Sequence, residues 1–162
     1  MPFERSLLEI VMRDEGFVVA VYDTVMMQVR TRPLRVSDLE AIGAAAAKVV
    51  LGVGDQPVGF LGVLEEGAEP PEGAVREAQR ATMGRFIQDP RVNMAGVILG
   101  TSPRTTIYRT MVRLLGVGQP RMRVVADIEE AADWLVERGV RVSPIEIADV
   151  ATHLRASYGL LG

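Results

Sequence analysis

Asn93–Gly116, NMAGVILGTSPRTTIYRTMVRLLG, decides how this chain reads. Met94–Leu99 is a continuous apolar run of strand length, Gly100–Thr105 is a short polar turn, and the following residues keep helical spacing as far as Gly116, which closes the helix. A strand passing through a tight turn into a helix is the repeating unit of an open α/β sheet, and such sheets meet ligands at the carboxyl ends of their strands. Free amides in the helix's first turn, the hydroxyls of Thr101, Ser102, Thr105 and Thr106, and the Arg104 guanidinium together make a candidate site for a small phosphate or carboxylate. The competing reading is local: Thr105 or Thr106 caps its own helix and Arg104 is solvated. No Gly-Lys-Ser/Thr ending and no Gly-x-Gly-x-x-Gly are present, so the turn is neither a P-loop nor a dinucleotide fingerprint.

The same alternation extends in both directions. Phe17–Asp23 and Val25–Thr31 are β-branched and aromatic runs about a tight Asp23-Thr24 connection, an antiparallel hairpin without the favoured Asn-Gly or Asp-Gly pair. Met26 and Met27 alternate across the second run, so one is expected in the core and the other outward. Ser37-Asp38-Leu39-Glu40 reads as a capping box ahead of a helix burying Leu39, Ile42, Ala46 and Val49. Val58–Leu64 is apolar throughout, as in a central strand covered on both faces, and Gly59 and Gly62 within it predict a close-packed neighbour. A helix carrying Val75, Ala78, Thr82, Phe86 and Ile87 on one face follows. After Gly116, Met122–Ala126 is a short strand, Asp127 caps a helix burying Ile128, Ala131 or Ala132, and Leu135, with Trp134 over the sheet edge. Ser143-Pro144-Ile145-Glu146 opens a last helix through Ile147, Val150, Ala151, Leu154 and Tyr158. Residues 3–13 place Phe3, Leu7, Ile10 and Val11 at helical spacing, and could equally run extended.

The expected fold is therefore α/β: one domain with a mixed, mostly parallel sheet of about five strands, in the order β-β-α-β-α-β-α-β-α, plus a C-terminal helix. Its parts are an N-terminal extension or short helix (1–16), the α/β body (17–138) and a C-terminal capping helix (139–162).

Composition excludes several functions. The chain has 162 residues, no cysteine and a single histidine, His153, which leaves no thiolate chemistry and little for a histidine metal site or a nucleophile–base pair. No carboxylate pair stands out for acid–base work. No cofactor, metal or catalytic residue is expected, nor a membrane span or signal peptide, and the expected location is cytoplasmic. The net charge of −3 conceals a segregation: Pro90–Ala126 holds six arginines and no acid, whereas Asp127–Asp149 holds seven acids against Arg138 and Arg141. Arg109 and Arg113 lie four apart on what reads as the exposed side of their helix, opposite Ile107, Met111, Leu114 and Leu115. With Arg104 they form a basic patch for an anionic partner. Nucleic acid is not the expected one, because the chain is acidic overall and the patch has no exposed aromatics for stacking.

This order, ending in a short strand and Glu129-Glu130-Ala131-Ala132 followed by Trp134-Leu135, resembles the STAS family, the anti-sigma-factor-antagonist-like domains, and the uncharacterised STAS-like group related to it. The resemblance covers about Phe17 to Glu137. It implies the fold and a habit of binding partner proteins. Phosphorylated members carry a Ser or Thr in an Asp-Ser-Ser-Gly-like turn after the third strand of the family pattern; here that place reads Glu65–Gly73, EEGAEPPEG, without a hydroxyl. Glu65, Glu66, Glu69 and Glu72 either imitate a phosphorylated state or simply favour the next helix's N-terminus. The expectation is a non-enzymatic regulatory or scaffolding domain that binds a protein partner, or itself through complementary charged faces, with Arg104, Arg109, Arg113, Glu65, Glu66 and Glu69 as contacts. The alternative is a small-anion sensor at Thr101–Thr106.

Overall fold

The computed structural model describes residues 3–157. Six strands form one sheet in sequence order: β1 (Leu8–Asp14), β2 (Phe17–Tyr22), β3 (Val25–Arg30), β4 (Val58–Leu64), β5 (Val92–Ile98) and β6 (Met122–Val125). The first three pair antiparallel, and β3 to β6 are parallel. The parallel strands are joined by α1 (Val36–Gly52), α2 (Gly73–Ile87) and α3 (Pro103–Leu115), while α4 (Ile128–Glu137) and α5 (Pro144–Ser157) follow β6. Right-handed crossovers between successive neighbours keep α1, α2 and α3 on one face; α4 and α5 cover the other. Tyr158, expected in the last helix, lies outside the described residues.

The extra strand is β1. Residues with helical spacing are extended here, after a short 3-10 turn at Arg5–Leu7. Glu15-Gly16, with Gly16 at φ +73°, turns the chain so that Asp14 faces Phe17 and β1 joins the sheet as an edge strand. The next hairpin turns at Asp23, which takes φ +51° without being glycine, a conformation aspartate tolerates better than most residues.

Every side chain of β2 is buried, because both faces of the sheet are covered. Met26 and Met27 thus both fill core, one on each face, and neither points outward as alternation about a one-sided sheet would require. Under α4, Gly59 allows the closest approach: a Cβ there would lie 3.3 Å from the Leu135 methyls. Gly62, also expected to sit under a close neighbour, instead adjoins the Gln28 side chain on the opposite face.

Helix α1 begins two residues before the Ser37 box would place it. Arg35 is its N-cap, and Asp38, at the third position, accepts the Arg35 backbone N–H at 2.7 Å. Asp38 is fully buried, and Arg32 grips both its oxygens at 2.6 and 3.0 Å. Burial pushes its carboxyl upward, but the Arg32 fork and the Arg35 amide outweigh that and hold it below the ordinary carboxylate range. Removing one partner of a buried pair strands the other charge. Arg32→Met is expected to cost roughly 3–5 kcal/mol by urea denaturation. Because the folded pKa of Asp38 is depressed, the stabilisation is present at neutral pH and is lost as pH falls below about 4. The variant's stability should therefore be flatter than the wild type's in that acid window.

Candidate functional site

At the carboxyl ends of β4 and β5, the turn singled out by its hydroxyls is closed by its own chain. Ser102 is the N-cap of α3, accepting the Thr105 backbone N–H at 3.2 Å, with Pro103 in the first helical position. The cap is thus three residues earlier than Thr105, whose own hydroxyl lies 2.9 Å from that of Ser102. The Ser102 backbone N–H points at the Glu66 carboxylate, 3.4 Å away. Gly100, at φ +114°, makes room for that arrangement: a Cβ on it would fall 2.8 Å from the Glu66 side chain. The dipole end of α3 therefore already faces a carboxylate, supplied by the acidic loop. Thr101, Thr106 and Arg104 are exposed, and Arg104 reaches the Glu69 carboxylate only at 3.9 Å.

Helix α3 is turned round relative to its expected orientation. Ile107, Met111 and Leu114, spaced i, i+4, i+7, are 61, 57 and 68% exposed, and Val117 extends the stripe. The inward side carries Thr105, Tyr108, Arg109 and Val112. Arg109 is half-buried, its Nε and Nη2 both donating to the Ile98 carbonyl and Nη2 also to the Gly100 carbonyl at 2.8 Å. Arg113 keeps an exposed side chain but donates from Nε to the Val124 carbonyl at 2.9 Å. Arg109, read as exposed, is thus corrected to half-buried, whereas Arg113 lies exposed as read, with its Nε engaged. Strand-end carbonyls have no partner beyond the sheet, and a long guanidinium supplies one. The side chain of Leu115 is not among those described.

The remaining positions are dispersed. Glu65 is buried and held by the Arg155 fork of α5, whereas Glu66 and Glu69 are exposed. Arg91 forks the Asp89 carboxylate with Nε and Nη2 and gives Nη1 to the carbonyls of Val50 and Gly54, and Arg121 donates to those of Ile87, Asp89 and Val92. His153 lies half-buried with its ring 5.3 Å from that of Phe3. Among the described residues no group of three His, Asp or Glu is placed to hold a metal ion, and no helix is long and apolar enough to cross a membrane. No protein-family model, curated protein or solved structure matches the chain.

The sequence shows the stripe of Ile107, Met111 and Leu114 by its spacing, but its assignment to the buried side is corrected here. Two substitutions separate the roles of the arginines. Arg109→Ala is expected to destabilise by about 1–3 kcal/mol, since it leaves the Ile98 and Gly100 carbonyls without their donor; Arg104→Ala should change stability by less than about 0.5 kcal/mol. Urea midpoints of the two proteins check this, and equal values would remove the structural role of Arg109.

Proposed function

We propose that this chain is a non-enzymatic regulatory or scaffolding domain that binds a protein partner through the outer face of α3. One observation carries the reading: a helix in a folded domain turns Ile107, Met111 and Leu114 to solvent while Arg109 and Arg113 bond backbone carbonyls of the sheet. Contiguous apolar residues on a helix face mark an interaction surface more often than scattered ones do. The element order that resembles the STAS family supports the same reading.

The occupant we infer is an amphipathic helix carrying acids beside its apolar stripe. Helix α3 has three arginines and no acid, so its face presents apolar anchors in a positive field. A second copy is a poorer match. The acids Glu129, Glu130, Asp133 and Glu137 of α4 are exposed on the opposite face of the sheet, but the large apolar residues of α4 are at least half-buried and offer nothing to the stripe.

The test uses a labelled helical peptide with leucine on one face and glutamate on the other, and a counterpart with lysine in place of glutamate. Fluorescence anisotropy should show the acidic peptide binding with Kd on the order of 10 µM, weaker in high salt, and the lysine peptide not binding. Met111→Glu with Leu114→Glu should weaken it at least tenfold without loss of fold. Failure of the acidic peptide to bind, or equal binding by the double variant, would overturn the proposal. So would a wild-type dimer by light scattering that the double variant abolishes, since the second copy would then be the occupant.

A further inference from the structure

Arg30, the last residue of β3, is 3% exposed, and no carboxylate among the described residues forms an ion pair with it. Its Nη1 donates to two backbone carbonyls, of Arg32 at 3.0 Å and of Glu69 at 2.8 Å. The acid that would otherwise neutralise it, Asp38, is held by Arg32 on both oxygens. A buried guanidinium with only neutral acceptors is costly, and buried charges are ordinarily paired. With both Nη1 hydrogens engaged, the edge formed by Nε and Nη2 remains, and that edge matches the two oxygens of a carboxylate side-on.

Three further features converge on the same place. Tyr108, on the inward side of α3, is half-buried. Burial pushes its phenol up, and the nearby Arg30 charge partly opposes that. No hydrogen bond to its hydroxyl is present among the described residues. Gln28, two residues before Arg30 on the same face of β3, has its carboxamide Oε1 out of solvent and without a partner. The end groups of a carboxamide exchange by a flip, so this side chain can equally present its N–H.

Beside them the floor of the sheet carries two glycines and is only partly covered. Gln28, Gly62, Gly96 and Val124 stand in register across β3, β4, β5 and β6. A Cβ on Gly96 would meet only a Val124 methyl, at 3.6 Å, and one on Gly62 would meet the Gln28 side chain at 3.6–3.9 Å. Above this floor, α2 has no fully buried residue, and Gly62, Leu64, Gly96 and Val124 stay partly exposed. The other side of the same strands, Leu61, Val63, Ala95, Val97 and Val125, is closed completely.

We propose that Arg30, Gln28 and Tyr108 form a binding site for a small organic carboxylate whose flat apolar body lies on Gly96 beneath α2 and α3. The Arg30 edge takes the carboxylate, Tyr108 and Gln28 each donate one hydrogen bond, and Gly96, beside the Gln28 side chain that covers Gly62, leaves space above the strand that a side chain would fill. Phosphate and sulfate fit less well, because the floor offers no further donors. The site lies on the inner side of α3 and does not depend on what its outer face binds.

The probe is benzoate, with acetate and inorganic phosphate beside it, read by isothermal titration and by melting temperature. Benzoate is expected to bind saturably and raise the melting temperature, with acetate and phosphate at least tenfold weaker. Tyr108→Phe should weaken benzoate about fivefold, the loss of one hydrogen bond. Arg30 also fastens the Glu69 loop, so its removal can unfold that region; Gly96→Val, which blocks the floor and leaves Arg30 in place, is the decisive variant. It should fold, by circular dichroism, and lose benzoate binding. Absence of saturable benzoate binding, tighter binding of phosphate than of benzoate, or unchanged benzoate binding in folded Gly96→Val would each overturn the proposal.

Discussion

Hydrogen bonds from guanidinium groups to backbone carbonyls hold the parallel half of this molecule together. Arg109 and Arg113 fasten α3 to the ends of β5 and β6, Arg91 joins the end of α1 to the loop before β5, and Arg121 gathers three carbonyls around the entry to β5 and β6. In an open sheet the loops at strand ends leave acceptors that neither helix nor strand satisfies. An arginine meets several at once and stays charged while doing so. Such an arrangement frees α3 from having to bury its apolar side.

The two faces of the sheet consequently differ in kind. Beneath α4 and α5 the packing is complete, from Tyr22 through Leu61 and Val97 to Leu154. Beneath α1 it is equally tight around Phe17, Met26 and Phe60. The quarter roofed by α2 and α3 is more loosely covered: Met94, Met122 and Val124 remain partly exposed there. Regions with few buried apolar contacts open at low cost, and binding surfaces are drawn from them. Both the outer stripe of α3 and the glycine floor within lie in that quarter.

What the sequence made legible follows the strength of local signals. The alternation of strands and helices, the Asp127 cap, which accepts the Glu130 N–H at 2.7 Å, and the Ser143–Glu146 box all stand where their chemistry puts them. Residues 8–14 were ambiguous because their apolar spacing suits a helix, and the deciding signal was the Glu15-Gly16 turn after them rather than anything within them. The orientation of α3 was not legible at all. Helical periodicity shows that two faces differ, and it assumes that the apolar one is inward; arginines that bond carbonyls reverse that assumption without leaving a pattern in the sequence. Arg30, Gln28 and Gly96 were equally silent, and Gly62 spoke only of close packing, since their meeting is a matter of register across strands far apart in the chain.

The sheet's borders also bear on how another molecule could approach. At one border β1 carries Glu9, Arg13 and Asp14, partly exposed or wholly so, and its ladder slips between Ile10 and Met12. At the other, β6 is four residues long and presents Arg123. Short, charged or bulged borders discourage an added strand. A chain built this way is protected from running on into ribbons of its own copies.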